Sequence, residues 1–431
     1  MSTMQPGFRW RSIALPALLP TLLFSIGEGA VIPVIPVVAE RLGADIATAG
    51  LVAGMILVGN LVGDLPGGAI VSRVGERAAM IGASAVSIAG LAVAIIATAP
   101  WMLALGILLV GLATTVFALA RHAFMTSFVP ISHRARALST LGGTFRLGYF
   151  LGPFLTAGVI QLAGAASAAF WIHLVCCVLA AAVLIALPDP AASFGVSRAS
   201  RAARTGEVEV VPPRAGLFRT LRDRRQVLLT LGLGSALLAA LRASRSVILP
   251  LWAVSIDLDA TTTALVIGAA GAVDVSLFYA GGWIMDRFGR LWTAVPAAIG
   301  LALGHLVLSL THELDARVAW FVGVAFWLSL ANGISSGTLM TLGADLADRR
   351  DPAPFLGAWR FQNDAGGAVV PLAIAGITAA VSLPLAAAAV GAVGFAGAVL
   401  LRVYIPRSSP VSRASPRPSR RPRSGGTRTG P

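Results

Sequence analysis

The chain has 431 residues, of which 56% are hydrophobic and only 12% are charged, and its mean hydropathy is +0.82. So few polar side chains cannot cover a water-exposed surface of this size, which excludes a large soluble protein. All 33 basic residues are arginines, and the formal net charge is +14.

Twelve apolar stretches are long enough to cross a membrane, because about 20 helical residues span a hydrocarbon layer of roughly 30 Å. The first is too long for a signal-peptide core and lacks a small-residue cleavage site, so we expect it to stay in the mature chain. We therefore predict an all-α membrane protein with spans at 13–37, 46–70, 77–98, 101–129, 138–162, 167–187, 226–254, 262–284, 291–311, 317–343, 355–380 and 383–405.

The stretch 189–225, rich in arginine and proline, is the one long interior connection, and it divides six spans from six. It predicts a six-helix bundle over 1–188, a cytoplasmic linker over 189–225 and a second six-helix bundle over 226–405. The basic tail over 406–431 is rich in Arg, Pro, Ser and Gly, a composition typical of disordered segments.

The arginines outside the spans predict the orientation of the chain. With the N-terminus inside, 26 of them lie on the inner side and only Arg41 and Arg317 lie outside. Because inner loops carry the excess of basic residues, we predict a multi-pass protein of the cytoplasmic membrane with both termini in the cytoplasm. The net charge then reflects topology and contact with anionic lipid, and not nucleic-acid binding.

The two halves of the chain repeat each other at a constant offset of 214 residues. The coincident residues include Pro36 with Pro250, Asp45 with Asp259, Gly54 with Gly268, Asn60 with Asp274, Gly67 with Gly281, Arg73 with Arg287 and Arg146 with Arg360. A register kept over more than a hundred residues indicates two parallel, pseudo-symmetric six-helix bundles. In transporters built this way, the binding site lies between the halves near the membrane midplane.

The segment after the eighth span, Gly282 to Arg290, reads GWIMDRFGR and resembles the loop signature G-x-x-x-D-R-x-G-R of the major facilitator superfamily. The resemblance extends over the chain apart from the linker and the tail. It implies that superfamily's fold, a monomer, and transport by alternating access. The counterpart after the second span departs from the signature, with Ser72 and Glu76 where aspartate and a basic residue are usual.

Such a loop combines a glycine-permitted turn with charges that can latch neighbouring helix ends. With Ser72 in place of aspartate, the first latch is weaker or uses Asp64. Asp64, Arg121 and His122 lie in the inner halves of their spans, and we expect them to form a gate network at the inner mouth. The predicted gating residues are Asp64, Gly68, Arg73, Gly75, Arg77, Arg121, His122, Gly282, Asp286, Arg287, Gly289 and Arg290.

In the fifth span, the segment Gly148 to Pro153 reads GYFLGP and resembles the G-x-x-x-G-P signature of antiporters in the same superfamily. Small residues allow helices to approach closely and proline bends a span. We therefore expect Gly148, Gly152 and Pro153 to form a moving contact between the two halves. The resemblance favours efflux over uptake.

Nine charged residues lie within the spans, where each costs at least about 2.5–3.5 kcal/mol unless it faces water or a partner. Arg242 and Arg245 are three residues apart and share a helix face, and Arg360 and Asp364 have the spacing of an intrahelical ion pair. The candidates for substrate binding or proton coupling are Glu28, Arg146, Arg242, Arg245, Asp274, Arg360 and Asp364.

Glu28 lies about fifteen residues into the first span, close to the midplane at a rise of 1.5 Å per residue, between Gly27 and Gly29. It is the leading candidate for a proton-binding group, because burial in a low dielectric favours the neutral carboxyl. The alternative is a fixed ion pair with an arginine that only orders helices. Arg242 is the repeat partner of Glu28, so anionic, zwitterionic and cationic substrates all stay open.

These residues predict a secondary transporter, and we favour proton-coupled efflux of a drug-like or amphipathic compound. The alternatives are proton-coupled uptake of a sugar or organic acid and, in another class, a non-transporting membrane receptor or assembly factor. The sequence shows no phosphate-binding loop, metal-ligand cluster or nucleophile–base pair, so we expect neither an enzyme nor a cofactor. The expected partners are a small solute, protons or another coupling ion, and membrane lipid.

Overall fold

The computed structural model describes residues 14–129, 131–187, 217–347 and 353–408. Most of the predicted linker and nearly all of the predicted disordered tail, with its basic cluster, lie outside these ranges. The boundaries proposed for the linker and the tail therefore stay predictions.

The described residues form twelve long helices, which we number α1 to α12 in chain order. A short helix, Leu217–Asp223, precedes α7. The bounds of α1 to α12 are Leu19–Arg41, Ile46–Val74, Glu76–Ile95, Pro100–Phe128, Ile131–Ala163, Ala169–Ala186, Arg225–Ser255, Ala260–Phe288, Leu291–Thr311, Arg317–Leu346, Ala353–Ala380 and Leu383–Ser408.

Three of these helices contain local irregularities. In α1, a 3₁₀ turn at Ile32–Val34 separates two α-helical pieces, and it contains a proline that lacks the N–H needed for a regular ladder. A π-helical turn at Leu228–Gly232 lies near the start of α7. In α10, a turn precedes the final piece Thr338–Leu346, and Gly337 there has a φ of +78°, which favours glycine.

Ten of the twelve helices, counted over the described ranges, are long and apolar enough to cross a membrane. The other two, α5 and α11, are 33 and 28 residues long but less apolar. Each packs against a helix of the other half, α5 against α8 and α11 against α2. Both helices therefore lie at the interface between the two halves, and the prediction of twelve spans agrees with the helix count.

The repeat is reproduced in the helix boundaries. α2 and α8 are both 29 residues long, and their first and last residues are related by the offset of 214. Asp45 caps α2 by accepting a hydrogen bond from Thr48 N at 2.8 Å, and Asp259 caps α8 through Thr262 N at 2.9 Å. Both helices end at a glycine with positive φ, +90° at Gly75 and +94° at Gly289.

These caps give a prediction with a defined pH dependence. The hydrogen bond from Thr48 lowers the pKa of Asp45 below its ordinary value. A lowered folded-state pKa means that the stabilisation is present above the unfolded-state pKa of about 3.9 and is lost as the pH falls through the folded-state value. We expect Asp45→Ala to reduce the free energy of unfolding at neutral pH by roughly 0.5–1 kcal/mol.

Thermal unfolding in detergent at pH 7 and at about pH 3 checks this expectation, and the difference from wild type should shrink at the lower pH. Asp45→Asn is the matched control, because asparagine keeps the capping oxygen and does not titrate. Equal losses for the alanine and asparagine variants at pH 7 would contradict a capping role.

The helices pack as two bundles of six. In the first bundle, α2 and α3 pack against α4, and α1 packs against α5 and α6. In the second, α9 packs against α12, α7 against α11 and α8 against α10. The main contacts between the bundles are α2 with α11 and α5 with α8. This arrangement confirms the predicted fold of two pseudo-symmetric bundles.

The bundles approach each other closely near the N-terminal ends of α2 and α8, which we call the Asp45/Asp259 end. A Cβ built on Gly50 of α2 would lie 2.9 Å from Leu251 of α7, and one on Gly268 of α8 would lie 3.0 Å from Phe154 of α5. At the opposite, Gly75/Gly289 end, a Cβ on Gly68 or Gly282 would meet no atom within 4 Å. Of these four glycines, only the two nearer the Asp45/Asp259 end are in close contact with the other bundle.

Candidate functional site

The nine intramembrane charges fall into three groups that lie in or between the bundles. We call them the Asp274 cluster (Arg146, Arg242, Arg245, Asp274), the Asp64 cluster (Asp64, Arg360, Asp364) and the Glu28 cluster (Glu28, Arg121). Charged groups at this depth need partners, and the three clusters supply them in different ways.

The Asp274 cluster joins the two bundles. Asp274 of α8 accepts a hydrogen bond from Arg146 Nη1 of α5 at 3.0 Å on Oδ1. Its Oδ2 accepts from Arg245 Nη2 of α7 at 3.3 Å and from Asn332 Nδ2 of α10 at 2.8 Å. The Arg146 and Asp274 side chains are only 16% and 13% exposed. One carboxylate therefore connects α5 of the first bundle to α7 and α10 of the second.

Two uncharged residues complete this cluster, and the sequence reasoning missed both. Arg242 Nε donates to Asn332 Oδ1 at 2.9 Å, and Arg245 Nη1 donates to Ser329 Oγ at 2.8 Å. The expectation that Arg242 and Arg245 share a face is met, since both reach α10. The sequence does contain a signal for Asn332, because an amide side chain in the middle of an otherwise apolar span needs a hydrogen-bond partner there.

The Asp64 cluster also joins the bundles. Arg360 Nη2 of α11 lies 3.3 Å from Asp64 Oδ1 of α2, and its Nε donates to Asp364 Oδ2 at 3.3 Å. The Asp64 side chain is 8% exposed, whereas those of Arg360 and Asp364 are 39% and 36% exposed. The Arg360–Asp364 spacing thus produces the intrahelical pair expected from sequence, and Arg360 adds a second partner across the bundle interface.

The two inter-bundle pairs are related by the repeat, but not at equivalent positions. Arg146 and Arg360 are repeat partners, and each pairs with an aspartate of the other bundle. The repeat partner of Asp64 is Phe278, and the Arg146 guanidinium lies over the Phe278 ring at 4.8 Å. Asp274 instead corresponds to Asn60, one helical turn before Asp64. The two aspartates therefore occupy repeat positions that differ by one helical turn, although the arginines that pair with them are exact repeat partners.

The Glu28 cluster lies within the first bundle. Glu28 is 2% exposed, the Tyr149 and Thr114 hydroxyls face it, and its Oε2 has no hydrogen-bond partner among the described residues. Arg121 of α4 is 7% exposed, acts on Glu28 through its charge, and lies over the Phe145 ring at 4.7 Å. A buried carboxyl with one unpartnered oxygen is available for a proton, and Tyr149 is a further group that sequence reasoning missed.

The predicted gate network of Asp64, Arg121 and His122 is not assembled as expected. Asp64 pairs with Arg360, Arg121 faces Glu28, and His122 Nδ1 bonds to the Ala118 carbonyl of its own helix at 2.7 Å. Local spacing placed the three in the same part of their spans. Spacing along the sequence did not show that α2 turns Asp64 toward α11. This orientation is the reason why the predicted network is not formed.

The first turn of α3, directly after the Gly75 turn, latches a helix end of its own bundle. Arg77 donates from Nε to the Leu184 carbonyl at 2.7 Å and from Nη2 to the Ile185 and Leu187 carbonyls at 3.1 and 2.7 Å. These are carbonyls at the C-terminus of α6, which lack intrahelical donors. Arg73 is exposed near the end of α2. Asp64 takes no part in this latch, because its partner is Arg360.

The loop after α8 makes a comparable latch with a different residue. Arg290 donates to both carboxylate oxygens of Asp345 at 2.7 and 3.3 Å, which ties the loop to the final piece of α10. Asp286 and Arg287 are exposed, and Gly289 supplies the positive φ of the turn. Both latches hold helix ends within one bundle.

The small residues of α5 face α1. A Cβ built on Gly152 would lie 2.5 Å from both Ala30 N and Ile26 O, and one on Gly148 would lie 2.5 Å from Ser25 Cβ. Gly148 and Gly152 therefore do not form the expected contact between the halves, although Phe150 of the same segment does reach α8, its Cα lying 3.9 Å from a Cβ built on Gly271. The role expected of Pro153 stays a prediction. Small residues suit any close helix contact, and the face of α5 toward α8 carries Phe154 instead.

We expect Gly152→Ala to destabilise the protein, because the new methyl group meets backbone atoms of α1 that cannot rotate away. Overpacking of this kind costs about 1–3 kcal/mol, which should appear as a melting temperature several degrees lower in detergent. Gly158→Ala on the same helix is the matched control, since its Cβ would meet no atom within 4 Å. Equal melting temperatures for the two variants would contradict the proposed packing.

Comparisons with known proteins agree with this architecture. A sequence model described as Major Facilitator Superfamily matches residues 17–371. The proteins named Multidrug resistance protein MdtH from Yersinia pestis (strain Pestoides F) and from Yersinia pseudotuberculosis serotype O:1b (strain IP 31758) are each 25% identical over 354 residues. In each case the alignment covers 82% of this chain and 83% of the relative.

Solved structures share the fold at low sequence identity. A POT family transporter in complex with 5-aminolevulinic acid aligns with a TM-score of 0.72 at 11% identity, over 92% of this chain and 96% of that one. The peptide transporter POT in complex with sulfate gives 0.72 at 16% identity, over 94% and 96%. The xylose transporter XylE from E. coli, in a partially occluded inward-open conformation, gives 0.67 at 15% identity, over 92% and 99%.

Proposed function

The chain belongs to the major facilitator superfamily, and from this premise we propose that it is a proton-coupled exporter of a small amphipathic solute. In this proposal the two bundles rock about a site between them, so that the site opens to each side of the membrane in turn. Membership also makes the chain a multi-pass membrane transporter rather than an enzyme.

The observation that carries the proposal is the pair of charged contacts between the bundles. Arg146–Asp274 and Arg360–Asp64 each join one bundle to the other through partly buried groups, at 3.0 and 3.3 Å. A purely structural bridge of this kind is weak evidence for stability, because desolvation of the ions offsets their attraction. Charges that break and re-form contacts as the bundles move are consistent with a transport cycle.

Glu28 supplies the coupling step in this proposal. Its carboxyl is buried, Arg121 and Tyr149 face it, and one oxygen has no partner among the described residues. An isolated charge is costly in such surroundings, so the site can hold a proton while it is closed to water. Release of that proton leaves a carboxylate that Arg121 stabilises, which links proton movement to the arrangement of α1, α4 and α5.

The direction of transport is proposed from sequence similarity. The relatives named multidrug resistance proteins align with most of this chain, and the GYFLGP segment of α5 resembles the antiporter signature. Proton-coupled uptake of a sugar or organic acid is the second candidate, because a D-xylose-proton symporter shares the fold with a TM-score of 0.69. We further propose that the protein is monomeric and has both termini in the cytoplasm, as the arginine placement predicts.

Reconstitution into liposomes tests the proposal. With a pH-sensitive dye inside the vesicles and an imposed pH gradient, we expect an amphipathic solute to dissipate the gradient only when the protein is present. Cells that express the chain should be depleted of that solute, whereas the uptake alternative predicts its accumulation. A non-transporting receptor predicts no solute-dependent proton movement, and that outcome with solutes shown to bind would overturn the proposal.

A further inference from the structure

The Asp274 cluster carries more positive than negative charge. Arg146 and Arg245 donate to a single carboxylate, that of Asp274, and Arg242 is connected to it through Asn332. The other polar groups bound to the arginines, Asn332 and Ser329, are neutral. Arginine stays protonated in proteins, so two of the three charges lack an anionic counterpart within the cluster. Uncompensated cations at this depth are costly, and a bound anion would remove that cost.

The hydrogen bonds of the three arginines lead to the same conclusion. Each guanidinium has five N–H donors. Arg146 uses one on Asp274, Arg242 uses one on Asn332, and Arg245 uses one each on Ser329 and Asp274. The Nε of Arg245 is buried and has no acceptor within the described part of the chain. The cluster therefore has donors to spare and few acceptors.

Asp274 shows which ligand chemistry the cluster suits. Its two oxygens are held from three helices, by Arg146 on one side and by Arg245 and Asn332 on the other. Charge-assisted hydrogen bonds from guanidinium groups to a planar carboxylate are among the stronger ones in proteins. The geometry that holds the carboxylate of Asp274 is thus suited to a second carboxylate of the same shape.

The exposure of these groups indicates that a ligand can reach them. The side chains of Arg146, Asp274 and Arg245 are 16%, 13% and 22% exposed, although they lie at the contact of α5 with α8 and beside α7. The donors are consequently neither sealed in a core nor fully hydrated, and the low dielectric around them strengthens a hydrogen bond to a ligand.

From these observations we propose that the Asp274 cluster binds the carboxylate group of the transported solute, which makes the substrate an organic anion or a zwitterion. The inference rests on the proposed transport function and specifies its substrate class. Asp274 acts as an internal counter-ion that shares Arg146 and Arg245 with the solute when the solute is present. Arg242, bound to the cluster through Asn332, supplies the additional positive charge.

Asp274→Asn gives the most discriminating test, because the two models of the site predict opposite signs. If the arginines bind an anion, removal of the competing negative charge strengthens binding of that anion by several-fold. If Asp274 itself binds a cationic solute, the same change abolishes binding. The variant keeps all three arginines, so its result does not depend on the loss of a cation.

Three matched probes separate the charge types: phenylacetate, phenylethanol and phenethylammonium. Their binding to the purified full chain is measured by thermal stabilisation at constant ionic strength, since a compound that binds only the folded state raises its melting temperature. We expect phenylacetate to stabilise the wild type more than the other two probes. Arg245→Gln should weaken phenylacetate binding by about tenfold or more. Arg317→Gln should leave it unchanged, because the Arg317 side chain is 43% exposed and pairs with Asp257 outside the cluster.

The outcomes distinguish this inference from the proposed function. Stabilisation by phenethylammonium alone, or weaker phenylacetate binding in Asp274→Asn, overturns the anion site and leaves proton-coupled transport standing. The anion site is also overturned if phenylacetate does not stabilise the wild type at the highest concentration at which phenylethanol still has no effect. Phenylacetate binding without coupled proton movement in liposomes supports the anion site and contradicts the transport proposal. If one of the two variants, Asp274→Asn or Arg245→Gln, does not fold, the other decides.

Discussion

Glu28→Gln is expected to abolish proton-driven flux in proteoliposomes while solute exchange without a pH gradient continues. Glutamine keeps the size and the hydrogen-bonding capacity of the side chain but cannot release a proton. Because Glu28 is 2% exposed and faces Arg121 and Tyr149, the substitution removes the titrating group and leaves the packing of α1 largely intact. A loss of coupling without loss of exchange is the signature of a proton-binding residue.

The control is Glu313→Gln, which changes a carboxylate whose side chain is 90% exposed and should leave coupled flux unchanged. If Glu28 instead serves only as a structural partner of Arg121, Glu28→Gln should lower the melting temperature and leave the pH dependence of transport intact. Unchanged proton-driven flux in the variant would remove Glu28 from the coupling mechanism.

Among the substitutions proposed here, we expect Asp274→Ala to cause the largest loss of stability, because it leaves the guanidinium groups of Arg146 and Arg245 without the carboxylate that joins them. Removal of one partner from a buried ion pair costs about 3–5 kcal/mol. We expect a melting temperature many degrees below that of wild type in ligand-free detergent solution. Asp223→Ala, which removes a carboxylate from an ion pair whose side chains are 74% and 60% exposed, should change it little.

A double-mutant cycle with Arg146→Ala isolates the contact between the bundles. If the 3.0 Å pair is formed in the native state, the loss in the double variant should be smaller than the sum of the two single losses, with a coupling of about 0.5–3 kcal/mol. Additive losses would show that Arg146 and Asp274 do not interact. The cycle does not depend on knowledge of the substrate.

Much of the fold followed from the sequence because lipid restricts the choices. Only helices and closed barrels satisfy their backbone in a hydrocarbon layer, and continuous apolar stretches of about 20 residues have the length of a spanning helix, so these stretches predicted the elements directly. The repeat register was also predictable, because its markers are local: Asp45 and Asp259 cap helices, and Gly75 and Gly289 adopt positive φ. The contact of α5 with α1 was not, because a small-residue face suits any close neighbour.

The candidate site was predictable as a set of residues but not as a set of pairs. The Arg360–Asp364 contact was found because a spacing of four on a helix fixes the neighbours. The partners of Arg146 and Asp64 lie on the other bundle, and sequence spacing carries no information about such distances. Asn332 was missed because it carries no charge, although its amide connects Arg242 to Asp274.

In the proposed rocking motion, the one-turn displacement between the two inter-bundle aspartates means that their contacts move by different amounts. Asp274 is the middle residue of α8, whereas Asp64 lies toward the Gly75 end of α2. When a rigid body pivots, atoms near the axis barely move and distant atoms sweep wide arcs. A hinge at the height of Asp274 would therefore strain the Arg146–Asp274 contact less than the Arg360–Asp64 contact, which lies about one helical turn, roughly 5 Å, further along the helix.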